Sequence, residues 1–148
     1  MDEQAPTTGI EARLAVIEAK DEIRELTARY CFAVAEGDAD AIIDLFCADG
    51  VFTMRDREWV GHDGLRSLYD GAASGVTPKP YIQNHVIQVD GDTATGRCGV
   101  EIRMVNKGVA NTVAGHYFDA YRKVDGRWLF ARRDFKVFHW VPLSEGWA

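Results

Sequence analysis

Three cysteines in 148 residues, Cys31, Cys47 and Cys98, are too few and too scattered for a disulfide framework, and no CxxC pair offers a zinc site. Free thiols in odd number fit a reducing compartment, so a cytoplasmic location is expected. No apolar run approaches the roughly 18 residues that a membrane span needs. The N-terminus has no basic stretch leading into an apolar block, so no secretion signal is expected either. A basic excess is also missing. Seventeen Lys+Arg against 23 Asp+Glu leave a net charge of −6, which argues against nucleic acid and anionic membranes as partners. The phosphate-binding GxGxxG and Walker sequences and the GxSxG of serine hydrolases are absent. No two of the four histidines stand at HxH or helical i, i+4 spacing, so neither a cofactor nor a metal is expected.

What is present is a globular composition, 47% hydrophobic, of a length that suits one domain over residues 1–148, with 1–9 as a flexible tail. The first half reads helical. Ile10, Leu14 and Ile17 make one apolar stripe; Ile23, Leu26, Tyr30, Ala33 and Val34 make a second, out of phase with the first. A break is therefore expected near Lys20–Asp21. Gly37 ends the helix, and Asp38 or Asp40 caps a short one over Ala41–Cys47. Ala48-Asp49-Gly50 reads as a turn, Val51–Met54 and Glu58–Val60 as short strands, Leu65–Tyr69 as a third helix, and Gly71–Pro80 as a loop.

The second half reads as an antiparallel meander over Tyr81–Val89, Ala94–Val105, Val113–Val124 and Trp128–Val141. Cys98, Val100, Ile102 and Met104 alternate with Arg97, Glu101 and Arg103, and Asp125-Gly126 is a sharp hairpin signal. Helices followed by a meander give an α+β fold, with helices packed on one face of a curved sheet. A cone-shaped, mostly apolar pocket between the layers would receive Tyr30, Phe32 and Val34 from the helix side.

Several residues are candidates for chemistry in such a pocket. His85 sits in an otherwise apolar strand and titrates near neutral pH, so it is either a proton-transfer group or a core histidine satisfied by one hydrogen bond. His116 and Tyr117 are adjacent on a strand, so only one faces inward. Arg133 shares a face with Phe135 and is placed either in an ion pair or against an anionic substrate group. His62 and His139 read as solvated, and Glu36, Asp38 and Asp40 as capping or solvated groups.

The runs Ile23-Arg24-Glu25-Leu26, Arg29-Tyr30, Glu36-Gly37-Asp38, Leu45–Gly50, Gly61–Leu65, Asn84-His85 and Tyr121–Trp128 together resemble SnoaL-like proteins of the nuclear transport factor 2-like superfamily. The resemblance extends from about Ile10 to Val141. Members of that superfamily include scytalone dehydratase, a hexachlorocyclohexane dehydrochlorinase and ketosteroid isomerase. The resemblance implies a cone-shaped curved antiparallel sheet with about three N-terminal helices on its concave face, and a homodimer. It also implies a cofactor-independent lyase, dehydratase or isomerase acting by proton transfer on a small apolar, aromatic or polycyclic substrate. His85 falls on the family's catalytic histidine, but Ala35 stands at the position of its Asp partner, and Met104 and Met54 replace two further polar positions. Glu36, Asp49 or a tyrosine would have to substitute, and a hydroxyl from Tyr30, Tyr81 or Tyr117 is the easier partner. His85 and Tyr30 are thus the expected catalytic residues, and Phe52, Met54, Tyr81, Val100, Met104, Tyr117, Arg133 and Phe135 the expected substrate contacts. The alternative is a non-catalytic binding or assembly protein whose active site has degenerated.

Overall fold

The computed structural model describes residues 8–70 and 75–148. Helix α1 (Thr8–Glu36) runs without the expected break at Lys20–Asp21. Its two apolar phases meet different surroundings. Ile23, Leu26, Tyr30, Ala33 and Val34 are buried, whereas Ile10, Leu14 and Ile17 are exposed. Only the second stripe packs on the sheet, so nothing requires the two to share a phase, and Glu18-Ala19-Lys20 are good helix formers that carry the helix through. Of the expected tail, Thr8 and Gly9 are already helical and 1–7 lie outside the described residues.

Gly37 stops α1 with φ +70°, its N–H bonded to the Val34 carbonyl at 3.1 Å and that of Asp38 to the Ala33 carbonyl at 3.0 Å. This is the double bond of a Schellman end. The Asp38 carboxylate then accepts the Ala41 N–H at 3.0 Å and starts α2 (Ala39–Asp44). The helix is shorter than expected because Phe46 and Cys47 already belong to β1 (Phe46–Met54). Ala48-Asp49-Gly50 is no turn but the irregular part of that strand, where register shifts between Phe46 and Val51. β2 (Arg57–Val60) and α3 (Gly61–Tyr69) follow. β3 (Val76–Asp90) takes in Pro78 and Pro80, which were expected in a loop; an edge strand tolerates both. β4 (Thr93–Asn106), β5 (Val109–Val124) and β6 (Arg127–Pro142) complete the sheet, with positive φ at both Lys107-Gly108 and Asp125-Gly126 as tight hairpins demand.

The strand order is β2-β1-β6-β5-β4-β3. All neighbours are antiparallel except β1 and β6, which run parallel, so the sheet is mixed where a wholly antiparallel one was expected. The chain leaves β1 for one edge, crosses with β3 to the other, and meanders back until β6 lies beside β1. The fold is α+β as expected, a curved six-stranded sheet with α1 packed mainly on β3 and β6 and α3 on β1. No helix among the described residues is long and apolar enough to cross a membrane.

Candidate functional site

Between the helices and the sheet lies a cavity of about 550 Å³, within the size range of small-molecule sites. Its walls are aromatic and sulfur-bearing: Phe52 and Met54 from β1, Trp59 from β2, Met104 from β4, Phe135 and Trp140 from β6. Tyr30 from α1, Tyr69 from the last turn of α3 and Tyr117 from β5 converge on it. Inward alternation along β4 and β5 supplies Met104 and Tyr117, and i, i+4 spacing places Tyr30 and Val34 on one helix face.

The tyrosines form a cluster. The Tyr30 and Tyr69 hydroxyls are 2.8 Å apart, and the Tyr117 ring stands edge-on to Tyr30 with centroids 6.1 Å apart. Burial pushes all three phenols upward, Tyr69 and Tyr117 well above the ordinary 10.0, and nearby Arg133 opposes the rise. They are therefore protonated at neutral pH, and can donate hydrogen bonds but not act as phenolate bases.

Behind the tyrosines is a buried ion pair. Arg133 is 0% exposed and grips Asp119 through two bonds of 2.8 Å, Nε to Oδ1 and Nη2 to Oδ2. Its guanidinium carbon lies 3.9 Å from the Tyr117 ring centroid, 4.2 Å from Phe130 and 4.4 Å from Tyr30. A fork-to-fork pair in full burial holds together because neither charge has another partner of this strength. On the far side, the Tyr121 hydroxyl donates to Asp119 Oδ2 at 2.9 Å, and His85 Nε2 is 3.1 Å from that same hydroxyl. With its proton on Asp119, the Tyr121 oxygen accepts from His85, which fixes the Nε2–H tautomer. Burial lowers the His85 pKa, Asp119 opposes this, and Arg133 and Arg24 reinforce it.

Two local features bring His85 there. Residues 83–86 form a bulge in the β3–β4 ladder, and Asn84 has φ +53°. Pro80 and Ile82 are covered before the bulge and His85 and Ile87 after it, so the extra residue switches which parity faces inward. Opposite, a Cβ on Gly96 would lie 2.9 Å from the Tyr121 hydroxyl and 3.3 Å from His85 Nε2, so a glycine is what lets the two meet.

His85, Cys98 and Asp119 bring one nitrogen, one sulfur and one oxygen within 4.8 Å of one another, a set that metals use. The set is poorly disposed to hold one. Arg133 occupies both Asp119 oxygens, its cation repels another, and burial pushes the Cys98 thiol up to about 12.

The structure thus divides the residues expected from the sequence. Tyr30, Phe52, Met54, Met104, Tyr117 and Phe135 line the cavity; His85 is not among its lining residues. It belongs to the Tyr121–Asp119–Arg133 chain behind the cavity wall. Tyr81 does not line the cavity: it is 49% exposed, under the Arg103 guanidinium. Val100 is buried in the core without reaching the cavity, and Arg133 is closed off by Tyr30 and Tyr117. Phe32, two residues and about 200° around the helix from Tyr30, is exposed. Of the expected hydroxyl partners for His85, none is used; Tyr121 is. The signal for it was the alternation Tyr117-Asp119-Tyr121, which places an acid on the buried face of β5. Tyr69 had no comparable signal beyond its place at the end of α3.

Residues 15–134 match the model of the SnoaL-like domain. Among curated proteins, none matches the sequence. A provisionally named aromatic ring hydroxylase of Novosphingobium aromaticivorans is 30% identical, with a TM-score of 0.80 over 87% of this chain and 96% of its own. A provisionally named scytalone dehydratase of the same organism is 20% identical, with a TM-score of 0.80 over 88% of this chain and 91% of its own. A hexachlorocyclohexane dehydrochlorinase, LinA type 2, is 18% identical, with a TM-score of 0.79 over 88% of this chain and 93% of its own. The last two share the fold.

Proposed function

Since the chain belongs to the SnoaL-like domain family, we propose that its cavity binds a small, largely apolar aromatic or polycyclic molecule and holds one of that molecule's oxygens on the Tyr30–Tyr69–Tyr117 cluster. The observation that carries this reading is the convergence of three protonated phenols among mostly apolar walls, two of them stacked on the Arg133 cation. A cation against a phenol ring makes its O–H a better donor, and such donors polarise a carbonyl or steady an oxyanion. The aromatic name of the 30% identical relative points to the same ligand class.

The sequence favoured catalysis through His85. With His85 behind the wall, binding becomes the first reading, and Ala35, Met54 and Met104, all cavity-lining, keep the pocket apolar where relatives carry polar groups. A cofactor-independent lyase or isomerase remains a second reading on one observation: Glu36 also lines the cavity, a carboxylate that would take a proton while a tyrosine gives one. Tryptophan fluorescence titration with naphthols tests the first reading, because Trp59 and Trp140 line the cavity. Saturable quenching is expected in wild type, and Tyr69→Phe weakens it roughly 2- to 10-fold, the worth of one hydrogen bond. Equal affinity in both chains would refute the role given to the tyrosines. Mass spectrometry of the recovered ligands decides between the two readings: an unchanged mass means binding, loss of water means a lyase.

We also propose a homodimer formed through the outer sheet face, where Val86, Phe118 and Phe138 are 62%, 40% and 65% exposed. Sedimentation equilibrium should then give twice the 16.5 kDa chain mass; a single-chain mass at micromolar concentration would exclude it.

A further inference from the structure

We infer that the mouth of the cavity selects ligands carrying one negative charge, an aromatic or polycyclic carboxylic acid above all; the inference rests on the proposal that the cavity takes an aromatic molecule. The chain is acidic, at −6, yet the charged residues lining this cavity are Arg57, Lys79 and Glu36, a local balance of one positive charge. Arg57 belongs to β2 and Lys79 to β3, the two edge strands of the sheet, and both are solvent-exposed while lining the one cavity.

Neither cation is neutralised. Arg29, Arg66, Arg122, Arg127, Arg132 and Arg133 all sit within ion-pair distance of a carboxylate, whereas among the described residues Arg57 and Lys79 do not. Each is instead positioned by a cavity residue. The Arg57 guanidinium lies over the Trp59 indole, 4.7 Å from its centroid, and the Lys79 ammonium donates to the Ala35 carbonyl at 3.3 Å. Two cations held at an opening, with their charge unspent, form a site for an anion.

The distribution of polarity also sets the ligand's direction. The tyrosine end offers neutral donors, Tyr30 and Tyr117 buried and Tyr69 partly so, where a carboxylate would lose hydration for contacts to phenols. The mouth offers cations in contact with water. An aromatic acid therefore enters ring first, with a hydroxyl or carbonyl on the tyrosines and its carboxylate left between Arg57 and Lys79. Glu36 at the same opening disfavours dianions by leaving only one net positive charge.

The test compares a hydroxynaphthoic acid with its carboxamide, which keeps the ring and hydroxyl but loses the charge, by tryptophan fluorescence titration. Wild type should bind the acid about tenfold more tightly, the worth of a charge-assisted contact. Raising the salt should shrink that preference. In Arg57→Gln with Lys79→Gln the acid and the carboxamide should bind equally tightly, and unchanged thermal melting would show the fold intact. Equal binding of acid and carboxamide to wild type would overturn the inference and leave the aromatic cavity standing. Failure of both ligands to bind would overturn the cavity proposal and the inference together.

Discussion

Arg133 and Asp119 are the pair on which the interior depends. A full charge with 0% exposure is tolerated only while its partner remains, because desolvation otherwise costs more than packing returns. Asp119→Ala should therefore cost about 3–5 kcal/mol in urea unfolding, far above a typical surface substitution; a change below about 1 kcal/mol would show that the pair does not hold the core. His85 makes a second prediction at this scale. Burial lowers its pKa below the ordinary 6.5, so in acid the unfolded chain takes up a proton that the folded chain resists. Its contribution is complete above pH 6.5 and is lost as the pH falls through the folded-state value. In His85→Gln the stability should fall less steeply between about pH 7 and about pH 5 than in wild type. Parallel curves would mean that His85 titrates alike in both states. The identity of Arg133 as a charged, inward residue could be read from its alternation with Phe135, but its partner could not. Asp119 and Arg133 are 14 residues apart; the Asp125-Gly126 turn alone would set Asp119 opposite Arg132, and only the register shift at Ala120/Tyr121 brings Arg133 there.

Among the elements, those with strong local signals were legible. Gly37 ended α1 because only a left-handed residue completes that set of bonds. The Asp125-Gly126 hairpin and the alternation of Cys98, Val100, Ile102 and Met104 are equally local, and both are found. The β3 bulge was not legible, since a single extra residue leaves the strand's composition unchanged while reversing which side chains face inward. Asn84 is its hinge, at φ +53°. Asn84→Gly should change stability by no more than about 0.5 kcal/mol, while Asn84→Val should lose about 1–2 kcal/mol for a β-branched residue in the left-handed region. Equal melting of the two variants would mean that the bulge does not depend on that conformation. The continuity of α1 escaped for a related reason. A change of apolar phase reports a change of surroundings, and here the first stripe has none to pack on among the described residues.

At the scale of the molecule, layer architecture and the position of a pocket followed from the order of helices and strands. The parallel pairing of β1 with β6 did not, because it requires the last strand to return beside the first. That return brings Phe52 and Met54 against Phe135 in one wall, and makes a cavity from segments more than 80 residues apart. The division that matters most for function is equally a property of the whole: tyrosine hydroxyls in the cavity, His85 behind a buried ion pair. A crystal structure with a naphthol bound tests it most directly. The account predicts the ring between Phe52, Met104 and Phe135, with its oxygen within hydrogen-bond distance of Tyr30 or Tyr69. A naphthol seated against His85, with the cavity empty, would contradict it.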